Sequence, residues 1–357
     1  MRANYLDIMK NSPITSFPNI GGFHPLRVGF IRLLDAAPFI VAKELGIFRK
    51  HGLKVKLSRE VGWATVRDKL IFGELDACQA LGPMPFAATL GYGSPAKHCI
   101  AAMVLNLQGN AITLSEDLRK REVTDVQSLA REIRGTRSIK KYVFGVVAKF
   151  SSHDLILRDW LKSGGVDTEK DVQIVVLPPE QMVRCLQSNH IDGFCVGEPW
   201  NTIAIRQKLG WVTATSGELH PQHPEKVLMM TKAYANADPA RTVALIRALK
   251  ESCSWCDEKT NRPELALMLS QKEHLNCEAS MLMPALQGPF QKGHDRQLEG
   301  DGFVMFNSGR PSFEHGQWIV EMMNAHGHLS DYLESDTSLI NQVFQPGFYD
   351  EAVTIAA

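Results

Sequence analysis

Short apolar strands alternate with helical segments of about ten residues along most of this chain, and this alternation limits the possible folds more than any other feature. The pattern occurs in two blocks, roughly residues 26–115 and 120–222. A strand at 26–31 (LRVGFI) opens the first block, and a strand at 142–147 (YVFGVV) opens the second. Such alternation predicts an α/β protein with largely parallel sheets.

Chain length and net charge limit the number of domains and the classes of function that this protein can have. A chain of 357 residues suggests about two domains at roughly 150 residues each. Its 39 Lys and Arg residues balance 39 Asp and Glu residues, which argues against direct nucleic-acid binding because phosphate contacts need a basic excess. The richest apolar stretch, residues 36–48, is interrupted by Lys43 and Glu44, so it cannot supply the ~18 apolar residues of a membrane helix.

We interpret residues 1–25 as an N-terminal arm, because they are rich in proline and show no periodicity. Asp7, Lys10 and Pro13 interrupt any apolar run that could act as a secretory signal. We therefore expect a cytoplasmic protein. The seven cysteines agree with this expectation, since an odd number within mostly apolar segments is typical of buried free thiols in a reducing compartment.

Polar residues follow four of the predicted strands, and three of these positions also begin helices. In open α/β sheets, ligands bind beyond the carboxyl ends of the strands. Helix N-termini add N–H groups and a positive dipole end, which favour anions. Lys226, at the return from the second block, is the candidate cation. The candidate ligand-binding residues are Trp63, Asn110, His153, Gly197 and Lys226.

Each candidate also has an ordinary structural interpretation. Trp63 could simply pack at a helix start, His153 could be a first-turn residue, and Asn110 could serve a turn. Lys226 alone would be a solvated charge. Their joint placement at strand ends favours a binding site.

Signals for catalysis or metal binding are weak, and we expect neither an enzyme nor a cofactor. His220 and His223 are separated by a proline, unlike the helical histidine pair of a zinc site. Cys253 and Cys256 form a lone C-x-x-C inside the amphipathic helix predicted over residues 240–256, so we expect both thiols to face the core.

Short motifs in chain order resemble the nitrate- and bicarbonate-binding branch of the ABC-type solute-binding proteins. They are residues 29–38 (GFIRLLDAAP), 42–46 (AKELG), 63–70 (WATVRDKL), 73–77 (GELDA), 83–85 (PMP), 106–113 (NLQGNAIT), 153–160 (HDLILRDW), 197–201 (GEPWN) and 223–226 (HPEK). The resemblance runs from about residue 26 to 260. It weakens after Gln291, where 296–310 departs from the family pattern, and partly returns at 345–352.

The resemblance implies a two-lobed, hinged periplasmic-binding-protein-like (type II) fold that closes on one anion. Lobe 1 would combine residues 26–118 with 225–357, and lobe 2 would be residues 119–224. The family holds its anion with a tryptophan, an amide, a histidine, a glycine backbone and a lysine. Carried over, these are Trp63, Asn110 (glutamine is more usual there), His153, Gly197 and Lys226. Bicarbonate binders carry an acidic residue at the lysine position, so the resemblance implies nitrate or nitrite as the ligand.

Because we expect no export signal, the chain is most similar to the cytoplasmic nitrate/nitrite sensors of assimilatory nitrate-reduction operons. That resemblance implies a protein partner, an RNA-binding antiterminator of the ANTAR response-regulator class, which is restrained until the anion binds. One alternative is the solute-binding component of a nitrate ABC transporter. Another is an enzyme like the thiamine-pyrimidine synthases, but their cysteine-rich iron motif is not found in this sequence.

Overall fold

A computed structural model describes residues 24–300, 302–306, 309–329 and 337–354. Nearly all of the predicted N-terminal arm, residues 1–25, lies outside these ranges. The described strands are β1 (Leu26–Ile31), β2 (Val55–Glu60), β3 (Ala77–Leu81), β4 (Cys99–Gln108), β5 (Asn110–Ser115), β6 (Tyr142–Val146), β7 (Val172–Val176), β8 (Gly193–Gly197), β9 (Gly210–Thr215), β10 (Pro224–Thr231), β11 (Phe290–Gly293), β12 (Arg296–Leu298) and β13 (Val304–Met305).

The longer helices lie largely where the sequence periodicity predicts them. The α-helices are α1 (Ala37–Glu44), α2 (Ile47–Lys50), α3 (Trp63–Ile71), α4 (Met84–Leu90), α5 (Glu116–Lys120), α6 (Val126–Thr136), α7 (Ser152–Ser163), α8 (Met182–Gln187), α9 (Trp200–Arg206), α10 (Ser216–Leu219), α11 (Lys232–Ala237), α12 (Pro239–Asp257), α13 (Arg262–Ser270), α14 (Met283–Gln287), α15 (Phe313–Ala325), α16 (Thr337–Val343) and α17 (Gly347–Thr354). Short 3-10 turns occur at Leu34–Ala36, Pro179–Gln181, Lys259–Asn261 and Ala279–Met281. No helix in the described ranges is both long and apolar enough to span a membrane.

Two mixed sheets form the two lobes of the α/β fold. The first sheet has the order β13-β4-β10-β3-β1-β2, and the second has the order β7-β6-β8-β5-β9. In the first sheet β1 is parallel to β2 and β3, whereas β10 runs antiparallel to β3 and β4. In the second sheet β6 is parallel to β7 and β8, whereas β5 is antiparallel to β8 and β9. The prediction of largely parallel sheets is therefore correct for part of each sheet only.

The chain passes between the lobes earlier than the sequence led us to expect. We placed residues 26–118 in lobe 1, but β5 pairs within the second sheet. The sequence ends the apolar strand near Leu107, where residues 106–110 read NLQGN, but it does not show that residues 110–115 form a strand of the second sheet. Gln108 and Gly109 have positive φ angles of 58° and 98° and turn the chain from one sheet to the other.

The C-terminal part of the chain returns to the first lobe. Helix α12 packs there, since Ser252 Oγ donates to the carbonyl of Pro38 at 2.6 Å. Cys253 Sγ lies 3.5 Å from the carbonyl oxygen of Leu105 in β4. Cys253 and Cys256 are both buried in the same apolar cluster, as predicted. The second lobe has its own apolar cluster between its sheet and helices α6 and α7.

Candidate functional site

The structure brings the five predicted binding residues to one place between the sheets. Trp63 begins α3, Asn110 begins β5, His153 lies in the first turn of α7, Gly197 ends β8, and Lys226 lies in β10. All five are buried. The interpretation of Lys226 as a solvated charge is wrong, since it is 0% exposed. Asn110 does not serve a turn, because it is already paired within β5.

The ammonium of Lys226 is held by two carboxylates. Its Nζ lies 2.8 Å from Asp35 Oδ2 and 2.5 Å from Glu225 Oε1. It also lies 5.6 Å from the centroid of the Trp63 ring, within cation–π range. Burial works against the positive charge, but the two carboxylates outweigh it and raise the pKa of Lys226 above its ordinary value. The lysine is therefore a fixed positive charge.

Residues of the second lobe pack against the Lys226 ion pair and complete the site. Asn110 is paired with Gly197 in the register of β5 and β8. A Cβ atom on Gly197 would lie 3.4 Å from Asn110 Oδ1 and 3.5 Å from Asp35 Oδ2. The backbone N–H of Leu34 donates to the carbonyl of Glu198 at 2.8 Å. The glycine thus faces the Lys226 ion pair across the gap between the sheets.

Two neutral histidines lie on the other side of Glu225. His153 Nε2 is 3.6 Å from Glu225 Oε1, and His223 Nδ1 is 3.8 Å from Glu225 Oε2. Burial lowers the pKa of His153 to about 3 and that of His223 to about 4, so both rings are neutral at physiological pH. Burial alone would raise the pKa of Glu225, but the positive charge of Lys226 outweighs burial, and the pKa is about 2.

Several buried polar groups here have no hydrogen-bond partner among the described residues. They include the indole nitrogen of Trp63, the side-chain nitrogen and oxygen of Asn110, both ring nitrogens of His153, Nε2 of His223 and Oε2 of Glu225. Burying an unpaired donor or acceptor costs about 1–3 kcal/mol. A small anion with several acceptor oxygens would satisfy the unpaired donors next to Lys226. The arrangement therefore has the chemistry of an anion site.

Asp35 and Glu225 belong to this site, and sequence reasoning missed both. Asp35 precedes α1, but its side chain caps no helix. Instead, Asp35 Oδ1 accepts a hydrogen bond from Gln79 Nε2 at 2.6 Å, and Oδ2 pairs with Lys226. The available signal was an acidic residue inside an otherwise apolar run, Leu33-Leu34-Asp35-Ala36-Ala37. Glu225 directly precedes Lys226 in the motif at residues 223–226 (HPEK), but we predicted no role for it.

A second set of contacts, which we call the interlobe clasp, joins α7 of the second lobe to the segment after α15. Its members are Asp154 and Asp159 of α7, His220 directly after α10, and His326 and His328 after α15. Asp159 lies 3.0 Å from His220 Nε2 and 3.7 Å from His326 Nε2. Asp154 Oδ2 lies 3.2 Å from His328 Nε2. The hydrogen bond with His220 and the proximity of His326 lower the pKa of Asp159.

In the part of the chain that the structure describes, no three His, Cys, Asp or Glu residues are grouped so that they could hold a metal ion. The model of the NMT1-like family matches residues 23–270. This chain belongs to the NMT1-like family. The match covers β2, which leads to Trp63. It also covers β5, β8 and β10, which carry Asn110, Gly197 and Lys226.

Members of known function extend the relationship over most of the chain. This NMT1-like protein is 34% identical to the nitrate/nitrite binding protein NrtA of Synechococcus elongatus, over 91% of this chain and 76% of NrtA. It is 37% identical to the nitrate import ATP-binding protein NrtC of Synechocystis, over 92% of this chain but only 49% of NrtC. It therefore spans about half the length of that relative. The bicarbonate-binding protein CmpA of Synechococcus elongatus is 30% identical, over 76% of this chain and 62% of CmpA.

Solved structures confirm the expected fold. The periplasmic nitrate-binding protein NrtA of Synechocystis superposes with a TM-score of 0.87 at 29% identity, covering 93% of this chain and 88% of NrtA. The aliphatic sulphonate binding protein SsuA of Escherichia coli superposes with a TM-score of 0.66 at 14% identity, which shows the fold alone. The chain has the two-lobed periplasmic-binding-protein-like fold and is related to nitrate- and bicarbonate-binding proteins.

Proposed function

We propose that this protein binds nitrate or nitrite between its two lobes. The observation that carries the proposal is the buried ammonium of Lys226 beside unpaired polar groups of Trp63, Asn110 and His153. A planar oxyanion could accept hydrogen bonds from the indole and amide N–H groups and from a ring N–H of the histidine. Kinship with NrtA supports nitrate and nitrite. Lys226 supports them over bicarbonate, since the resemblance implies an acidic residue there in bicarbonate binders.

The role is binding without a catalytic step. The relatives described above are named as binding or import proteins. Their names support a solute-binding component that delivers the anion to an ABC importer. The comparisons thus support the transport role better than the sensor role that the sequence led us to expect.

One observation keeps the sensor as a second candidate. All seven cysteines are free, and five of them are fully buried. Free thiols in this number are typical of a reducing compartment, whereas proteins of oxidising compartments commonly form disulfides. In this second proposal the protein is cytoplasmic, and it releases an ANTAR-class antiterminator when nitrate or nitrite binds.

Isothermal titration calorimetry tests the binding proposal directly. We expect micromolar affinity for nitrate or nitrite and weaker binding of bicarbonate. Trp63→Phe keeps the aromatic face but removes the indole N–H, and should weaken binding about tenfold or more, because hydrogen bonds to charged groups contribute about 1.5–3 kcal/mol. Trp211→Phe is the matched control, since Trp211 is buried in the second lobe with its indole nitrogen also unpaired.

The two roles are separated by location and partner. A transport component should be found in the periplasmic fraction. A sensor should stay in the cytoplasm and release a copurified antiterminator when nitrate is added. Failure of wild-type protein to bind either nitrate or nitrite would overturn the binding proposal on which both roles depend.

A further inference from the structure

The charges around Lys226 do not match a site that simply attracts an anion. One ammonium is surrounded by two carboxylates, those of Asp35 and Glu225, and the three side chains are 0–5% exposed. With both carboxylates ionised, the group already has a net charge of minus one. An anion placed there would add a second uncompensated negative charge inside a buried cleft, which is strongly unfavourable.

We propose that the anion binds together with one proton taken from solution, and that His153 holds this proton in the complex. The inference rests on the proposed nitrate or nitrite site and concerns how that site balances its charge. In the empty cleft His153 is neutral. In the complex it is an imidazolium between the anion and Glu225.

Asp35 is a poor place for that proton because both of its oxygens already accept hydrogen bonds. Lys226 donates to one oxygen, and Gln79 Nε2 donates to the other at 2.6 Å. The Gln79 amide cannot turn over, since its Oε1 accepts from the backbone N–H of Ile31 at 3.0 Å. Although burial raises the pKa of Asp35, a proton on its carboxyl group would face donors only.

Glu225 is a poor place for a different reason. Its Oε1 lies 2.5 Å from the Lys226 ammonium, whose charge keeps the pKa of Glu225 at about 2 despite burial. His223 faces the other oxygen, Oε2, at 3.8 Å, with its ring stacked on Trp318 and its Nδ1 3.3 Å from the carbonyl of Pro224. Its Nε2 has no hydrogen-bond partner among the described residues, so loss of proton uptake in His223→Asn would assign the proton to His223 instead.

His153 is the base with room for a proton. Both ring nitrogens are buried and have no hydrogen-bond partner among the described residues, and Nε2 faces Glu225 at 3.6 Å. Without an anion, burial keeps its pKa at about 3. The charged and titratable groups that act on it are Glu225 and Lys226 from β10 and His223 from the turn before β10, whereas the carboxylate of its neighbour Asp154 pairs with Arg158 and His328. An anion in contact with the ring adds negative charge on its open side and raises that pKa.

Calorimetry with nitrate at one pH, in buffers of different ionisation enthalpy, counts the protons taken up. We expect about one proton per nitrate near neutral pH, and an affinity that falls about tenfold per pH unit between the pKa of His153 in the empty protein and its higher pKa in the complex. His153→Asn keeps a polar side chain without a basic nitrogen, so its proton uptake should drop to near zero and its affinity should become nearly independent of pH.

The outcomes are distinguishable. If wild-type protein binds nitrate without proton uptake, this inference is overturned while the proposed function stands. If it binds neither nitrate nor nitrite, the proposed function fails first. If proton uptake persists in His153→Asn but disappears in Asp35→Asn, then the proton belongs to Asp35 and the assignment to His153 is overturned. The wild-type measurement decides whether a proton is coupled even if a variant does not fold.

Discussion

Replacing Lys226 by methionine should destabilise the protein far more than replacing another buried lysine. Methionine keeps most of the side-chain length but leaves the carboxylates of Asp35 and Glu225 without their cation at 2.8 and 2.5 Å. Breaking a buried ion pair by removing one partner costs about 3–5 kcal/mol. Against a total stability of about 5–15 kcal/mol, this is a large fraction.

The matched control is Lys292→Met. Lys292 is also nearly buried, but its ion-pair partner Glu218 is 38% exposed and stays in contact with water after the change. An exposed pair of this kind contributes about 0.2–1 kcal/mol. Urea unfolding followed by tryptophan fluorescence gives the free energy of unfolding of each variant.

The loss of stability in Lys226→Met should also depend on pH, with a sign that follows from the pKa of Glu225. In the native protein the pKa of Glu225 is about 2, below its ordinary value of about 4.3, so its contribution to stability is complete above about pH 4.3 and is lost as the pH falls towards 2. Without Lys226, burial instead raises the pKa of both carboxylates. The deficit of Lys226→Met should therefore be largest at neutral pH and shrink in acid.

A double variant isolates the ion pair. Asp35→Asn combined with Lys226→Met removes one of the stranded charges and should recover part of the lost stability. Equal losses for Lys226→Met and Lys292→Met, or a deficit that does not change with pH, would refute the electrostatic reasoning.

Two further changes test other parts of the site. Gly197→Ala places a methyl group 3.4 Å from Asn110 Oδ1, an ordinary contact, so the melting temperature should change little while nitrate affinity in calorimetry falls about tenfold or more. A normal affinity would show that the glycine does not face the ligand. Asp159→Asn removes the charge that His220 and His326 share, and because Asp159 is 41% exposed we expect a shift of about 0.5–1 kcal/mol towards the open form. Small-angle scattering should then report a larger radius of gyration without ligand, and an unchanged radius would contradict a clasp role.

Much of the fold could be predicted because the strands and helices follow local periodicity. The strand at Leu26–Ile31 and the helix at Pro239–Asp257 lie within a residue or two of their predicted bounds. Strand β5 was not predicted as a strand, because its pairing with β8 and β9 depends on residues about 80 to 100 positions away, and no local signal reports this.

Part of the candidate site could likewise be predicted from the sequence, and part could not. Trp63 and His153 lie at the starts of the helices that follow strands β2 and β6, so a rule about strand ends finds them. Asp35 and Lys226 are far apart in the chain, and their ion pair exists only because β10 is inserted between β4 and β3, beside the strand that pairs with β1. Residue-type patterns predict where ligands bind in such sheets, but they do not predict which distant charges neutralise one another there.

The position of β10 in the first sheet also determines the order in which the two lobes can fold during synthesis. Residues 110–215 contain every strand of the second sheet, so that lobe can fold as soon as this continuous segment leaves the ribosome. The first sheet must wait, since β3 and β4 keep unpaired edges towards each other until residues 224–231 arrive and fill the space between them. The lobe that begins first is therefore completed last. The strand that fills this space brings Lys226, so the cleft gains its cation when the two halves of the first sheet join, and β13 is added beside β4 afterwards.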